Sequence, residues 1–406
     1  MTDRLYYHDP YLKEFDAVVQ RTERRDERLV VVLDRSAFYP SSGGQPFDTG
    51  SLGPYAVIDV VDEEDGSVAH VLDEQSSSSA TSAALEPGTA LRGSIDWSRR
   101  FDHMQQHTGQ HVLSAAFDRL FGIRTVSFHM GAVTSTIDLA REATTAEIAA
   151  AETEANRIVW EDRPVIIRYA SAEEAARMPL RKESIRSGTL RLVDVEGFDL
   201  SACGGTHVAR TGGIGVIAVA SWERFKGGQR LEFLCGGRAL DRWRILRDAV
   251  AASVRQLSVQ PEELAPAIER LQSEAKEQKR SVVGLQGELA RYQAAALAAS
   301  AEEIRLKSGA TCRLVARSLD ADTNALKALA TAIAASPGHL VALVSASQPA
   351  LVVLARSADV DVSAQQLLTA LMAKFGGRGG GKPDFAQGGG LAAPGDEIIA
   401  AVRATL

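Results

Sequence analysis

Two short pairs of potential metal ligands, HTGQH at 107–111 and CGGTH at 203–207, constrain the fold of this chain more than any other feature. If both pairs hold one ion, segments far apart in sequence must meet. His107 and His111 lie in RRFDHMQQHTGQHVLSAAFDRLFG, where Met104, Val112, Leu113, Ala116, Phe117 and Leu120 recur with helical spacing. Four residues carry a helix only ~40° past a full turn, so both imidazoles leave the same face. Cys203 and His207 sit on a glycine-rich turn, where Gly204 and Gly205 let the chain fold back. One thiolate with up to three imidazoles suits Zn2+, and a catalytic site keeps a coordination position for water or substrate. The spacing predicts one zinc per chain and leaves open which of the four takes the fourth position, and whether His207 ligates permanently.

A histidine pair on a helix more often packs or faces solvent, and a cysteine is commonly a small buried hydrophobe. This chain, however, has only eight histidines and three cysteines, and four of these residues fall in two metal-spaced pairs. His103 stands one turn before His107, but eight residues rotate a helix face by ~80°, so His103, His107 and His111 do not share one ion. His103 reads as a neighbour of the site or a surface residue. Cys235 and Cys312 have no partner at any metal spacing and read as structural thiols.

A chain of 406 residues, 45% hydrophobic and 24% charged, suits two or three soluble domains. Three cysteines make no even disulfide framework, which indicates a reducing compartment. MTDRLYYHDPYLKEF has no apolar core to serve as a signal peptide, and no run of about eighteen apolar residues spans a membrane. These features predict a cytoplasmic protein. A net charge of −7 argues against indiscriminate nucleic-acid binding. Locally the balance reverses: Arg177, Arg181, Lys182, Arg186 and Arg191 precede CGGTH, and Arg224, Lys226 and Arg230 follow it. Either this is a solvated face or it is a basic margin along which a phosphate-bearing substrate reaches the metal.

The overall class is α+β and multidomain. Residues 1–92 alternate short apolar runs such as LVVVLDRSAFYP with the turns SSGGQP, TGSLGP and DEEDGS, and predict a small β-barrel. QSSSSATSAA (75–84) predicts a mobile loop. Residues 93–245, which carry both metal pairs, mix helix and strand patterns and predict an α+β domain. Over 246–304 the signal is helical: Leu264, Ile268, Leu271, Ala275, Gln278, Val282, Leu285, Leu289, Tyr292 and Ala296 keep an unbroken 4-3-4-3 spacing. That is a heptad seam, packed either on the helix around 240–258 or on the same helix of a second subunit. Residues 305–406 predict an α/β domain ending in FGGRGGGKPDFAQGGGL. Arg378, Lys382, Asp384, Phe385 and Gln387 interrupt its glycines, so it reads as backbone that approaches a ligand or another segment closely rather than as a linker.

AFYPSSGGQPFDTG (37–50), HTGQH (107–111), CGGTHV (203–208) and GGRGGGKPDFAQGGG (376–390) occur in the order seen in alanyl-tRNA synthetases. Taken together they resemble the freestanding alanyl-tRNA editing proteins of the long AlaX type. The resemblance runs over nearly the full length, from β domain through editing domain and helical segment to the C-terminal domain. No ATP-binding aminoacylation core precedes residue 1, so the resemblance implies an ATP-independent editing enzyme that does not charge tRNA. It implies zinc-dependent hydrolysis of tRNA(Ala) mischarged with serine or glycine. A synthetic site sized for alanine cannot exclude smaller glycine and rejects an added hydroxyl poorly, whereas a second site built to bind that hydroxyl discriminates well.

The resemblance also places residues. Ser127, Phe128 and His129 on TVSFHMG match the pocket strand, with His129 either a catalytic base or a structural histidine. Ser42, Gly43, Gly44 and Gln45 match a turn that approaches the site. Arg181 and Lys182 beside the metal turn, and Arg378 and Lys382 in the C-terminal domain, are the implied tRNA contacts, and the helical or C-terminal region offers a homodimer interface. Two other classes compete: a tRNA-binding or regulatory module with a structural zinc, and a metal-dependent phosphoesterase with a related C-terminal domain. The second needs an Asp-His-His cluster, and no DHH tripeptide occurs in the sequence.

Overall fold

The computed structural model describes residues 1–74, 85–181 and 188–406, and its contacts divide into two units, Met1–Ala252 and Ser253–Leu406. The segment 75–84, expected to be a loop, lies outside the described residues, as do Lys182 and Arg186. Among the described residues no helix is long and apolar enough to cross a membrane.

The first unit opens with β1 (Asp3–Arg4), β2 (Glu14–Arg25), β3 (Arg28–Leu33), β4 (Arg35–Ser36), β5 (Gly50–Leu52), β6 (Tyr55–Asp62), β7 (Val68–Asp73) and β8 (Ala90–Ile95). Six of them close into a barrel in the order β2-β3-β7-β6-β5-β8, and β1 pairs with β4. Alternation drives the closure: Phe15, Ala17 and Val19 of β2 are buried, while Glu14 and Asp16 face water. Inside, Phe15, Val31, Phe38, Leu52, Tyr55 and Leu72 form one apolar cluster, each side chain contributing about 1.5–3 kcal/mol by leaving water. A polar pair is buried with them. His70 donates from Nδ1 to the Val31 carbonyl at 3.0 Å and accepts at Nε2 from Ser36 Oγ at 2.7 Å.

Helix α1 (Trp97–Phe121) follows, capped by the Asp96 side chain on Arg99 N and ended by Gly122 at φ 61°. Then come β9 (Thr125–Met130), β10 (Ser135–Leu139), α2 (Thr145–Trp160), β11 (Val165–Ala170), α3 (Ala172–Ala175), β12 (Leu190–Val195), β13 (Asp199–Ala202), β14 (Ile217–Phe225), β15 (Gly228–Cys235) and α4 (Gly236–Leu257). They build a four-stranded sheet, β14-β15-β10-β9, and a three-stranded one, β11-β12-β13. Helix α1 is central: Met104, Leu113 and Phe117 are buried in one cluster with Ile137, Val193, Leu231 and Phe233. Its Arg100 ties it to the barrel. That guanidinium is fully buried, as is Asp48, and donates to Asp48 and to the Pro10 carbonyl. Removing one partner of such a pair costs about 3–5 kcal/mol.

The second unit contains α5 (Leu264–Ala299), β16 (Glu302–Arg305), β17 (Thr311–Leu319), α6 (Thr323–Ala334), β18 (His339–Ser345), β19 (Ala350–Arg356), α7 (Ala364–Phe375), β20 (Arg378–Gly381), β21 (Phe385–Leu391) and α8 (Gly395–Thr405). Its sheet runs β16-β17-β18-β19-β21-β20, with β17 and β18 parallel. Strand β18 is buried along its whole length because helices cover both faces. Leu326 and Ile333 of α6 pack on Val341 and Leu343 together with Ala290 and Ala294 of α5. Leu368 of α7 and Ile398 of α8 pack on Leu340, Ala342 and Val344.

The heptad seam lies on one continuous helix as expected, yet it is not packed within its own unit. Ile268, Leu271, Val282, Leu285, Leu289 and Tyr292 are 44% to 78% exposed. The glycine-rich segment forms the β20–β21 hairpin. A Cβ at Gly379 would lie 2.4 Å from the Gln387 carbonyl oxygen, and one at Gly381 would lie 2.4 Å from Ala386 Cα. The close approach expected from the glycines is therefore to the neighbouring strand.

Candidate metal centre

Helix α1 delivers His107 and His111, and the loop after β13 delivers Cys203 and His207. One donor atom from each residue lies within 4.8 Å of the others. Cys203 Sγ is 3.3 Å from His107 Nε2 and 3.4 Å from His207 Nε2. The three imidazoles are buried. Gly205 lets the loop close on α1, since a Cβ there would stand 2.2 Å from His107 Cε1.

The outer nitrogen of every imidazole has a partner. His107 Nδ1 is 2.8 Å from Gln45 Oε1, which also accepts from Thr206 N, while Gln45 Nε2 donates to Thr206 Oγ1. His111 Nδ1 is 3.0 Å from Asp199 Oδ2, and Asp199 is held by Arg181 at 2.6 Å and by Ser201. His207 Nδ1 is 3.2 Å from Thr108 Oγ1, whose proton goes to the Met104 carbonyl. These acceptors fix each ring with Nδ1–H outward and an Nε2 lone pair inward, the arrangement of metal-ligating histidines. Burial pushes His107 down to about 3 and His207 well below its ordinary value, so both rings are neutral. Burial also opposes charge on His111 and Cys203, but His111 is raised by Asp199 and Cys203, and the Cys203 thiol is lowered by His111. Two neutral imidazoles, a third held by Asp199, and an acidified thiol make a nitrogen–sulfur donor set that fits one divalent ion.

A cavity of about 620 Å3 opens from this cluster. Ser42, Gly43, Ser127 and Phe128 line it, and the Phe128 ring lies 5.3 Å from that of His107. Gly44 docks the barrel turn on β9 by accepting from Met130 N at 3.1 Å. Gln45 acts one step back, through His107. His129 is different: it is exposed on β9 opposite Thr136 and is not among the described residues lining the cavity. It shares the strand face of Thr125 and Ser127 but stands one step beyond the described cavity lining.

Other readings change as well. His103 is no surface residue: it is 3% exposed, stands outside the ligand cluster, and is pushed down to about 3 by burial and by Arg99. Arg181 lines the cavity but is spent on Asp199, Arg224 pairs with Glu142, and Arg230 with Asp138. Three residues of the basic margin thus have internal acidic partners. Lys182 and Arg186 lie outside the described residues. Arg378 and Lys382 are exposed in the second unit. Cys235 and Cys312 are buried, and Cys235 Sγ occupies the space that a side chain at Gly109 would need.

The sequence reading passed over several cavity residues. Gln110 and Thr125 both donate to Ser114 Oγ, at 2.9 and 2.8 Å. Gln110 was findable, three residues after His107 on the same helix face. Thr125 was too, two residues before Ser127 on the same strand face. Tyr7 on the cavity wall, and Asp199 behind His111, carry no such local signal.

Residues 190–232 match the family described as the threonyl and alanyl tRNA synthetase second additional domain, and residues 310–406 match the DHHA1 domain. The alanyl-tRNA editing protein AlaX-L of Pyrococcus horikoshii is 31% identical over 395 residues, covering 96% of this chain and 94% of that protein. The alanine–tRNA ligase of Pyrococcus abyssi is 33% identical over 401 residues, covering 95% of this chain and 42% of the ligase. That of Natronomonas pharaonis is 35% identical over 405 residues, 96% and 42% respectively. This chain spans less than half the length of these ligases. The C-Ala domain of Aquifex aeolicus alanyl-tRNA synthetase aligns with 26% of this chain and 97% of its own at 22% identity, with a TM-score of 0.23, too low for any inference.

Proposed function

Since this chain belongs to the family of the alanyl-tRNA editing protein AlaX-L, we propose that it is a cytoplasmic deacylase hydrolysing the ester of tRNA(Ala) mischarged with serine or glycine. The observation that supports this best is the buried cluster of His107, His111, Cys203 and His207 at the end of the cavity, with every outer imidazole nitrogen satisfied. These four residues would hold one Zn2+, which when bound supplies a positive charge beside an ester carbonyl or amino acid. The chain's own groups do the rest. Gln45, Asp199 and Thr108 hold the ligand rings. Thr125, Ser127 and Gln110 put polar atoms on the cavity wall, where a seryl hydroxyl finds partners that an alanyl methyl leaves unpaired. Arg378 and Lys382 contact the tRNA away from the ester, and a second copy covers the α5 seam.

One observation favours a second reading, a tRNA-binding module with a structural zinc: four protein ligands converge, the full complement of a closed site. Deacylation separates the two. Ser-, Gly- and Ala-tRNA(Ala) are incubated with the protein, with and without a chelator. Hydrolysis of the seryl ester well ahead of the alanyl one, lost to chelator and restored by Zn2+, is the expected result. A zinc-loaded protein that hydrolyses none of the three overturns the enzyme reading.

A further inference from the structure

Ser114 stands one layer behind the cavity wall. It is fully buried on α1, flanked in sequence by the core residues Leu113 and Ala115. A hydroxyl in such a place has to be matched by polar partners. Ser114 is not among the described residues that line the cavity, but both groups that bind its hydroxyl are. Gln110 Nε2 donates to Ser114 Oγ at 2.9 Å from the preceding turn of α1. Thr125 Oγ1 donates to the same oxygen at 2.8 Å from the first residue of β9.

These two bonds set the polarity of the wall. A hydroxyl has a single proton to give and lone pairs to accept with. With its proton turned back to Ser114, Thr125 offers the cavity lone pairs only. Gln110 has an N–H on the same oxygen, which fixes the plane of its amide beside Thr125. A group on the substrate's β-carbon then gains from this wall only if it carries a proton. Hydroxyl does. Fluorine, nearly the same size, does not, and neither does a methyl hydrogen count as a donor.

We propose that Ser114 is a positioning residue for side-chain selection: by taking the Thr125 proton it makes Thr125 Oγ1 an acceptor, so that the cavity recognises the seryl hydroxyl as a hydrogen-bond donor. This rests on the proposed function, because it is the seryl ester that brings a hydroxyl to the wall. Ser114 acts through Thr125 and reaches neither the ester nor the metal ligands. Glycyl and alanyl groups have no hydroxyl to give, so they gain nothing from it.

The test uses the full chain supplied with Zn2+. Binding of serinamide, β-fluoroalaninamide and alaninamide is followed by ligand-observed NMR, and the matching esters of tRNA(Ala) are assayed against their spontaneous hydrolysis. Serine is expected to lead in both, with the fluoro compound falling back to the level of alanine. Ser114→Ala should lower the serine-to-alanine ratio roughly tenfold, as for one lost hydrogen bond, at unchanged zinc content. Thr125→Val should do the same, and the double variant should be no worse than either single one, because the effect of Ser114 passes through Thr125. If Ser114→Ala loses metal, Thr125→Val and the fluoro compound carry the test. A fluoro compound that matches serine, a ratio unchanged by Ser114→Ala, or additive losses in the double variant overturns the assignment. Serinamide preferred as expected while no ester is hydrolysed would strike the proposed reaction and leave the role of Ser114 standing.

Discussion

At the scale of single residues, His70 makes a sharp prediction. It is fully buried in the barrel, and burial holds it down to about 4 from an ordinary 6.5. The unfolded chain therefore takes up a proton at a pH where the folded barrel refuses it. The contribution to stability is complete above pH 6.5 and is lost as pH falls toward 4, in all ~3 kcal/mol. Denaturant midpoints of the parent should drop across that window, and His70→Gln should flatten the drop; parallel curves for the two proteins would refute the account. Legibility at this scale follows distance along the chain. The ligands could be read from sequence because helix geometry links His107 to His111 and a short turn links Cys203 to His207. The groups that aim them could not, because Gln45 stands 62 residues from His107 and Asp199 88 residues from His111. Arg181 follows the same rule: its charge was visible in the sequence, but its partner Asp199 was not.

Among the elements, α5 is the one left unfinished. Its 36 residues present an apolar stripe to water, while Ala290 and Ala294 on another face are covered by α6. A second copy closing over the stripe would bury it as a coiled-coil seam. Leu285→Glu with Leu289→Glu should then convert a dimer to a monomer in sedimentation. An unchanged mass with a lowered melting temperature would place the cover inside the chain instead. The barrel strands and this helix were readable because one period dominates each. The second unit's sheet was readable only as a class. Whether neighbours run parallel, as β17 and β18 do, or antiparallel, as β19 and β21 do, depends on partners that alternation does not name. The glycines of β20 were read for closeness, and the structure supplies the object: the backbone of β21.

For the molecule as a whole, the division at Ala252 puts the metal ligands in the first unit and Arg378 of β20, with Lys382 in the turn after it, in the second. Ending the chain at Leu257, the last residue of α4, should leave metal content intact and raise KM for Ser-tRNA(Ala), with single-turnover hydrolysis at saturation changed far less. Arg378→Ala with Lys382→Ala should reproduce part of that rise and shallow its salt dependence, since fewer phosphate counterions are released. A shortened chain that binds tRNA as tightly as the full one would leave self-association as the role of the second unit. Within the first unit the turn bearing Gln45 reaches from the barrel to His107 and Thr206. It follows that the four ligands are not a portable cassette. Transplanted into another scaffold, or inherited by a shorter gene beginning after the barrel, they would still satisfy any search for ligand spacing while His107 had lost the neighbour that sets its ring.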